Sequence, residues 1–246
     1  MHKITMKVMD RDYKVKAEMS GYNDVRFFYQ EKFQEGDMII LECNKNPSYL
    51  VIQLDDTIGE CIVYLATNIM AFEVPFGENK KSCAEMSFSG KSHSLYSRVA
   101  SNKEIRQYRN LALNKYDHKS NFNCYPHVEI VDEYIVNSSK NQYEINSNRE
   151  ECIELNIRFG RKVSINKLVF HKQRDSIQDN FWLDSFIKFS DDTKMKCDLA
   201  KAELGQVLTF QQREVEWIQL CKLIKKPDDF YALDISNIEV YGVSVI

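Results

Sequence analysis

The hydrophobic and polar positions of the first hundred residues alternate over short runs, which is typical of β-strands. Four runs of about six residues are rich in β-branched and aromatic side chains. They are Met38–Cys43, Tyr49–Leu54, Cys61–Leu65 and Ala71–Phe76, and polar turn segments separate them. Short strands at this spacing indicate an antiparallel sandwich or barrel. The N-terminal region is therefore predicted to be a β-sandwich.

An aromatic cluster precedes these strands. It consists of Tyr22, Phe27, Phe28, Tyr29 and Phe33. Because large aromatic side chains are most often buried, we expect these rings to fill the core of the N-terminal sandwich rather than to form a sugar-stacking platform.

A short helix is predicted between the two β-rich regions. Ser101 and Glu104 have the spacing of a capping box, in which each side chain accepts a backbone hydrogen bond at the start of a helix. Ile105, Tyr108 and Ala112 follow at helical spacing on one face. The predicted organisation is an N-terminal domain over 1–100, a linking helix over 101–109 and a second β-sandwich over 110–246.

The second half of the chain alternates again. In the run 152–160, apolar and polar residues take turns, which indicates a strand with one buried face. Gly160 and Arg161 predict a turn, and the next strand is expected over 163–170. Further strands are expected over 186–190, 207–210, 214–223 and 237–241. About eight such strands indicate a second sandwich of the jelly-roll type.

Composition limits the classes of partner. The chain has 246 residues, 43% of them hydrophobic, and a net charge of -3. It lacks the basic excess that nucleic acid or an anionic membrane attracts, and no run is apolar enough for a bilayer span. We expect neither a nucleic-acid nor a membrane partner.

Cysteine usage and the first residues bear on the compartment. Seven cysteines occur without a C-x-x-C pair, which favours free thiols in a reducing compartment and makes a zinc site unlikely by spacing. The start of the sequence alternates and carries charges where a signal peptide is continuously apolar. We expect a cytoplasmic protein, or an extracellular one if a leader has been removed.

Catalytic motifs are absent from the sequence. It contains no Gly-x-Ser-x-Gly elbow, no phosphate-binding glycine loop and no His-Glu-x-x-His metal motif. Paired carboxylates such as Asp55-Asp56 are adjacent in turns, where they start turns rather than form an acid and base pair. We expect that the protein is not an enzyme.

Three segments carry a resemblance to a known family. Asn110–Lys115, the strand over 152–160 and Ile238–Gly242, in this order and spacing, resemble the discoidin or coagulation factor 5/8 type C family. The resemblance implies a galactose-binding-like β-sandwich of the kind that commonly binds sugars. The segment 128–148 lacks the aspartate-glycine turn of calcium-binding members, and its scattered oxygens do not specify a calcium site. We therefore expect no obligatory metal and no cofactor.

One connection between predicted strands groups the side chains that sugar recognition needs. It combines an imidazole, a guanidinium, carboxylates, an amide and an indole, which suit vicinal hydroxyls and the apolar face of a sugar ring. The predicted ligand-binding residues are His171, Arg174, Asp175, Asp179, Asn180 and Trp182. The family resemblance points to Arg174 and Asp175 in particular. The alternative is structural: Arg174 and Asp175 pair with each other, and Trp182 packs inward.

The predicted function is non-catalytic binding of a glycan, through loops at one end of the C-terminal sandwich. Hydrogen bonds and one stacking contact would give an affinity of roughly millimolar to micromolar, or about 4 to 8 kcal/mol. Two alternatives remain at this point. One is a scaffold module that docks a partner protein, and the other is an accessory part of a glycan-processing enzyme.

Overall fold

The computed structural model describes residues 1–77, 86–112, 124–125, 127–130, 153–172, 186–197, 206–223 and 235–245. The described chain is almost entirely β-structure, and its sheets are antiparallel. It divides into two compact units. Unit 1 comprises Met1–Ile105 with Leu113–His127, and unit 2 comprises Arg106–Ala112 with Val128–Ile246. No described helix is long and apolar enough to cross a membrane.

The described residues of unit 1 form two antiparallel sheets. Its strands are β1 (Lys3–Met9), β2 (Val15–Tyr22), β3 (Asp24–Tyr29), β4 (Met38–Cys43), β5 (Ser48–Gln53), β6 (Cys61–Leu65), β7 (Ile69–Glu73), β8 (His93–Val99) and β10 (Cys124–Tyr125). The strand orders are β2-β1-β4-β7 and β10-β6-β5-β8-β3. Apolar side chains of both sheets form one buried cluster, so the sheets pack as a sandwich. The strands predicted at 38–43 and 61–65 have the observed bounds.

The aromatic cluster of unit 1 is divided between core and surface. Phe27, Tyr29 and Phe33 are buried in the core, as predicted. Tyr22 and Phe28 are 63% and 64% exposed, so their predicted burial is wrong. The reason for Phe28 is the alternation of β3, whose burial pattern places it on the opposite side from Phe27 and Tyr29.

The helix after β8 is shorter than predicted. It is α1 (Asn102–Ile105), and its capping box is formed. The Ser101 amide donates to Glu104 Oε2 at 2.8 Å, and the Glu104 amide donates to Ser101 Oγ at 3.3 Å. The expected extension of the helix to residue 109 is wrong, because the next strand, β9 (Arg109–Asn110), pairs with the last strand of unit 2 and must be extended.

The strands that the structure describes in unit 2 form one antiparallel sheet, and two of them are long. Besides β9, its strands are β11 (His127–Ile130), β12 (Ile153–Lys172), β13 (Phe186–Phe189), β14 (Lys194–Lys196), β15 (Gln206–Leu223) and β16 (Ile235–Ser244). The two long strands are β12 and β15. The order is β14-β13-β15-β12-β16-β9, and β11 pairs with β12. A second core cluster lies on this sheet and includes Phe159, Leu168, Ile218 and Val240. The jelly-roll arrangement stays a prediction.

Irregularities in β12 replace the predicted turn at Gly160 and Arg161. Arg158 pairs with Trp217 and Val163 with Val215, so four residues of β12 face one residue of β15. Gly160 takes a φ of 66°, a left-handed conformation that glycine adopts without strain. The predicted turn is therefore wrong: the extra residues bulge out, and β12 continues along the same partner. The two strands predicted within 206–223 are likewise one strand.

The lead-in at Asn110 is tied to β16 by its side chain. Asn110 Oδ1 accepts hydrogen bonds from the amides of Ala112 and Val240, both at 3.0 Å. The Leu111 amide donates to the Val240 carbonyl at 2.6 Å. Leu111 is thereby placed in the core cluster of unit 2. These bonds join the first and last segments of the resemblance described above.

Candidate functional site

The structure describes one of the six predicted ligand-binding residues. His171 lies near the end of β12, with its side chain 38% exposed. Arg174, Asp175, Asp179, Asn180 and Trp182 lie outside the described residues. Their role, and the alternative in which they are structural, stay predictions. The site is therefore built here from His171 and the side chains beside it.

Unit 2 presents a polar and aromatic surface on the side of its sheet away from the core. Leu168 and Phe170 of β12 and Val240 of β16 belong to the core cluster. Because side chains alternate along a strand, Lys167 and Tyr241 face the opposite way, and they pair directly across β12 and β16. We call this the tyrosine surface, and define it as Tyr108, Asn166, Lys167, His171, Glu239 and Tyr241.

Tyr108 reaches the sheet from the segment between α1 and β9. Its ring lies against that of Tyr241, with centroids 5.9 Å apart and planes inclined by 25°. Its hydroxyl donates to Asn166 Oδ1 at 2.7 Å. The pairing of β12 with both neighbours is irregular between Ile165 and Lys167, so Asn166 occupies a bulge. A bulge redirects a side chain, and here it brings the Asn166 amide to Tyr108.

The ammonium group of Lys167 covers a tyrosine ring. Its Nζ lies 3.8 Å from the centroid of Tyr241 and 5.9 Å from that of Tyr108. Both distances are within the range of cation–π attraction. The lysine is therefore held against the sheet instead of extending into solvent, and Tyr108 remains 48% exposed beside it.

Glu239 lies at the His171 end of the tyrosine surface and interacts with two of its side chains. His171 Nε2 lies 3.1 Å from Glu239 Oε1, and the carboxylate side chain is 23% exposed. A hydrogen bond to Glu239 raises the pKa of Tyr241, because the bond favours the neutral hydroxyl; burial and the negative charge of Glu239 act in the same direction. The Tyr241 hydroxyl and the His171 imidazole are both oriented by one carboxylate.

The arrangement combines an aromatic face with oriented polar groups. Tyr108 offers exposed ring surface beside the Asn166 amide and the Lys167 ammonium group, and the Glu239 carboxylate lies at the other end of the surface. Such a set can bind a molecule that has apolar C–H surface and several hydroxyls. Among the described residues, no group of three His, Cys, Asp or Glu side chains could hold a metal ion.

Sequence analysis did not identify Tyr108, Asn166, Lys167, Glu239 or Tyr241 as site residues. Tyr108 was assigned to a helix face, and Tyr241 to a closing strand. One signal was present: Asn166 and Lys167 are consecutive polar residues within an alternating strand. Such a break in alternation marks a bulge, and bulges are common beside functional sites.

Comparisons with known proteins give matches among solved structures alone. No family model and no curated protein matches the chain. A chitosan-binding module of a Paenibacillus sp. IK-5 chitosanase/glucanase matches with 12% identity and a TM-score of 0.40, over 55% of this chain and 100% of that one. A Streptococcus pneumoniae fucose-binding module matches with 10% identity and a TM-score of 0.36, over 55% and 98%. The family 32 carbohydrate-binding module of C. perfringens NanJ, solved with galactose, matches with 16% identity and a TM-score of 0.33, over 41% and 75%.

Proposed function

We propose that unit 2 is a discoidin-like module that binds a glycan without transforming it. The ligand would lie on the tyrosine surface and against the loop that follows His171. The observation that carries this proposal is the half-exposed ring of Tyr108, held beside Tyr241 and surrounded by oriented hydrogen-bonding groups. The family resemblance at Asn110, at the strand over 152–160 and at Gly242 supports it.

A sugar ring has an apolar C–H face and a polar hydroxyl edge. The exposed ring of Tyr108 can accept the C–H face, while Asn166 and Lys167 supply donors to the hydroxyls. The Tyr108 hydroxyl is already bonded to Asn166 at 2.7 Å. Binding would therefore order few additional side-chain torsions, and less of the contact free energy would be lost to ordering.

Binding without hydrolysis is proposed because each carboxylate of the site has a non-catalytic role in the proposal. Hydrolysis uses a pair of carboxyl groups flanking the scissile bond. Glu239 contacts the His171 imidazole, and Asp175 and Asp179 are proposed to bind sugar hydroxyls. We therefore propose binding rather than turnover.

The loop residues predicted from the sequence extend this site in our proposal. Arg174 and Asp175 follow His171 closely in the chain. We propose that they bind vicinal hydroxyls, that Asp179 and Asn180 add hydrogen bonds, and that Trp182 provides a second stacking surface.

A glycan array followed by isothermal titration tests the proposal. The probes include galactose, fucose and chitosan fragments, which are the ligands named for the matched modules. For the best ligand, Tyr108→Ala should weaken binding about fivefold or more, since an aromatic contact contributes roughly 1 kcal/mol beyond its area. Tyr22→Ala removes another exposed tyrosine, which lies in unit 1 and is 63% exposed against 48% for Tyr108, and serves as the control.

Binding by Arg174→Ala, by the two tyrosine variants and by the parent tests the proposed site and function. Arg174→Ala should abolish binding with little change in the melting temperature if the loop belongs to the site. Binding by Arg174→Ala equal to that of the parent would remove the loop from the proposal and leave the tyrosine surface. Equal loss for Tyr108→Ala and Tyr22→Ala, or no glycan bound by the parent on the array, would reject the proposed function.

A further inference from the structure

We infer that the glycan bound on the tyrosine surface carries a negative charge, and that Lys167 recognises it. This inference rests on the proposed function and names the class of sugar. The anionic group can be a carboxylate or a sulfate, since both accept hydrogen bonds from an ammonium group.

The ammonium group of Lys167 lies over tyrosine rings. Its Nζ lies over the Tyr241 ring at 3.8 Å, with Tyr108 at 5.9 Å. Among the residues that the structure describes, no carboxylate forms an ion pair with Lys167. The ring contacts one side of the ammonium group, which has three N–H donors. Donors therefore remain for a ligand.

Other partly buried lysines differ in their partners: Lys7 and Lys16 contact carboxylates, whereas Lys188 lies 5.7 Å from the centroid of the Trp217 ring. Lys7 lies 2.7 Å from Glu42, and Lys16 lies 2.9 Å from Asp37. Their side chains are 22% and 16% exposed. A partly withdrawn cation loses hydration, and a nearby anion offsets that loss. Lys167 is also partly buried, but within the described chain aromatic rings take the place of a carboxylate.

The carboxylate on the tyrosine surface belongs to Glu239. Glu239 is directed to His171, with 3.1 Å between Nε2 and Oε1, and to the Tyr241 hydroxyl. The negative charge of Glu239 therefore interacts with His171 and Tyr241, at the His171 end of the tyrosine surface. The positive charge at Lys167 stands next to the exposed ring of Tyr108, where the sugar would stack. An anionic substituent on that sugar would supply the counter-charge that this end of the surface lacks.

The experiment compares three trisaccharides that differ in charge. Galactotriose, trigalacturonic acid and sulfated galactotriose are titrated into the full chain and into Lys167→Met. We expect the parent to bind at least one charged probe with roughly fivefold higher affinity than galactotriose. This ratio corresponds to the strongest ion pairs measured between partly exposed groups. Lys167→Met should lose this preference and bind all three probes with one affinity, which is lower than that of the parent for galactotriose because a donor to the hydroxyls is also removed. Lys188→Met, which removes a lysine lying over Trp217 elsewhere on the same sheet, should keep the preference.

The outcomes separate this inference from the proposed function. A preference for trigalacturonic acid alone identifies a carboxylated sugar, and a preference for the sulfated probe alone identifies a sulfated one. Equal binding of charged and neutral probes would overturn the inference while the proposed function stands. A preference that survives in Lys167→Met would overturn the role of Lys167. A parent that binds none of the three and no array glycan would overturn both.

Discussion

Asp55 provides the sharpest test of how unit 1 is held together. This carboxylate is 3% exposed and accepts hydrogen bonds from two loop segments. Thr57 donates from its amide at 2.9 Å and from its hydroxyl at 2.5 Å, and the Phe88 amide donates at 2.8 Å. Phe88 has a φ of 54°, an unfavourable conformation for a residue with a side chain. The hydrogen bond that the Phe88 amide donates to Asp55 therefore helps to hold a strained residue in place.

Replacing Asp55 with alanine removes all three bonds. The Phe88 amide is buried, and leaving it without an acceptor costs about 1 to 3 kcal/mol. The two bonds from Thr57 contribute about 0.5 to 1 kcal/mol each, because Thr57 is exposed and water can replace the carboxylate. We expect Asp55→Ala to lower the free energy of unfolding by about 3 kcal/mol and the melting temperature by about 10 °C.

Denaturant unfolding and amide hydrogen exchange at Phe88 would measure this effect. The control is Asp56→Ala, because Asp56 is exposed and accepts one long bond, from the Ser94 amide at 3.3 Å. It should change the free energy by less than about 0.5 kcal/mol. A loss below about 1 kcal/mol for Asp55→Ala, or unchanged exchange at Phe88, would refute this account of Asp55.

Two further predictions concern the capping box and the closing strand. Hydrogen bonds from Arg98, at 2.9 and 2.6 Å, lower the pKa of Glu104 from 4.5 to about 2, with help from Ser101. A depressed carboxyl pKa stabilises the fold above about pH 4.5, and this contribution is lost as the pH falls towards 2. Glu104→Gln should therefore lower the free energy of unfolding by about 1 kcal/mol at pH 7. In urea titrations this difference from the parent should shrink below pH 4.5 and disappear as the pH falls through about 2; a difference independent of pH would contradict this. Gly242→Ala would place a Cβ 2.1 Å from the Ser164 carbonyl oxygen, so we expect a loss of about 2 kcal/mol or more by thermal unfolding, and a neutral result would show that the backbone can shift.

Local pattern was sufficient for the bounds of two strands of unit 1 and for the helix start. Met38–Cys43 and Cys61–Leu65 were predicted with the observed bounds, because each is a short run bounded by turn residues. The capping box at Ser101 and Glu104 also forms as expected, since both partners lie within one turn. In each case the interactions that decide the structure lie within a few residues of chain.

Which aromatic side chains are exposed is decided by the folded sheet and not by the local sequence. Phe27 and Phe28 are adjacent and chemically alike, yet one is buried and the other is on the surface. The direction of β3 relative to the core decides between them, and composition carries no information about that direction.

The sequence alone determined that the chain is β-rich and where the strands Met38–Cys43 and Cys61–Leu65 begin and end. Tertiary structure alone decided that Gly160 bulges rather than turns, that Asn166 receives the Tyr108 hydroxyl, and that Tyr108 meets Tyr241. The physical reason is strand register. Tyr108 and Tyr241 come from opposite ends of the sequence of unit 2, and only the pairing of β9 and β12 with β16 brings their rings together.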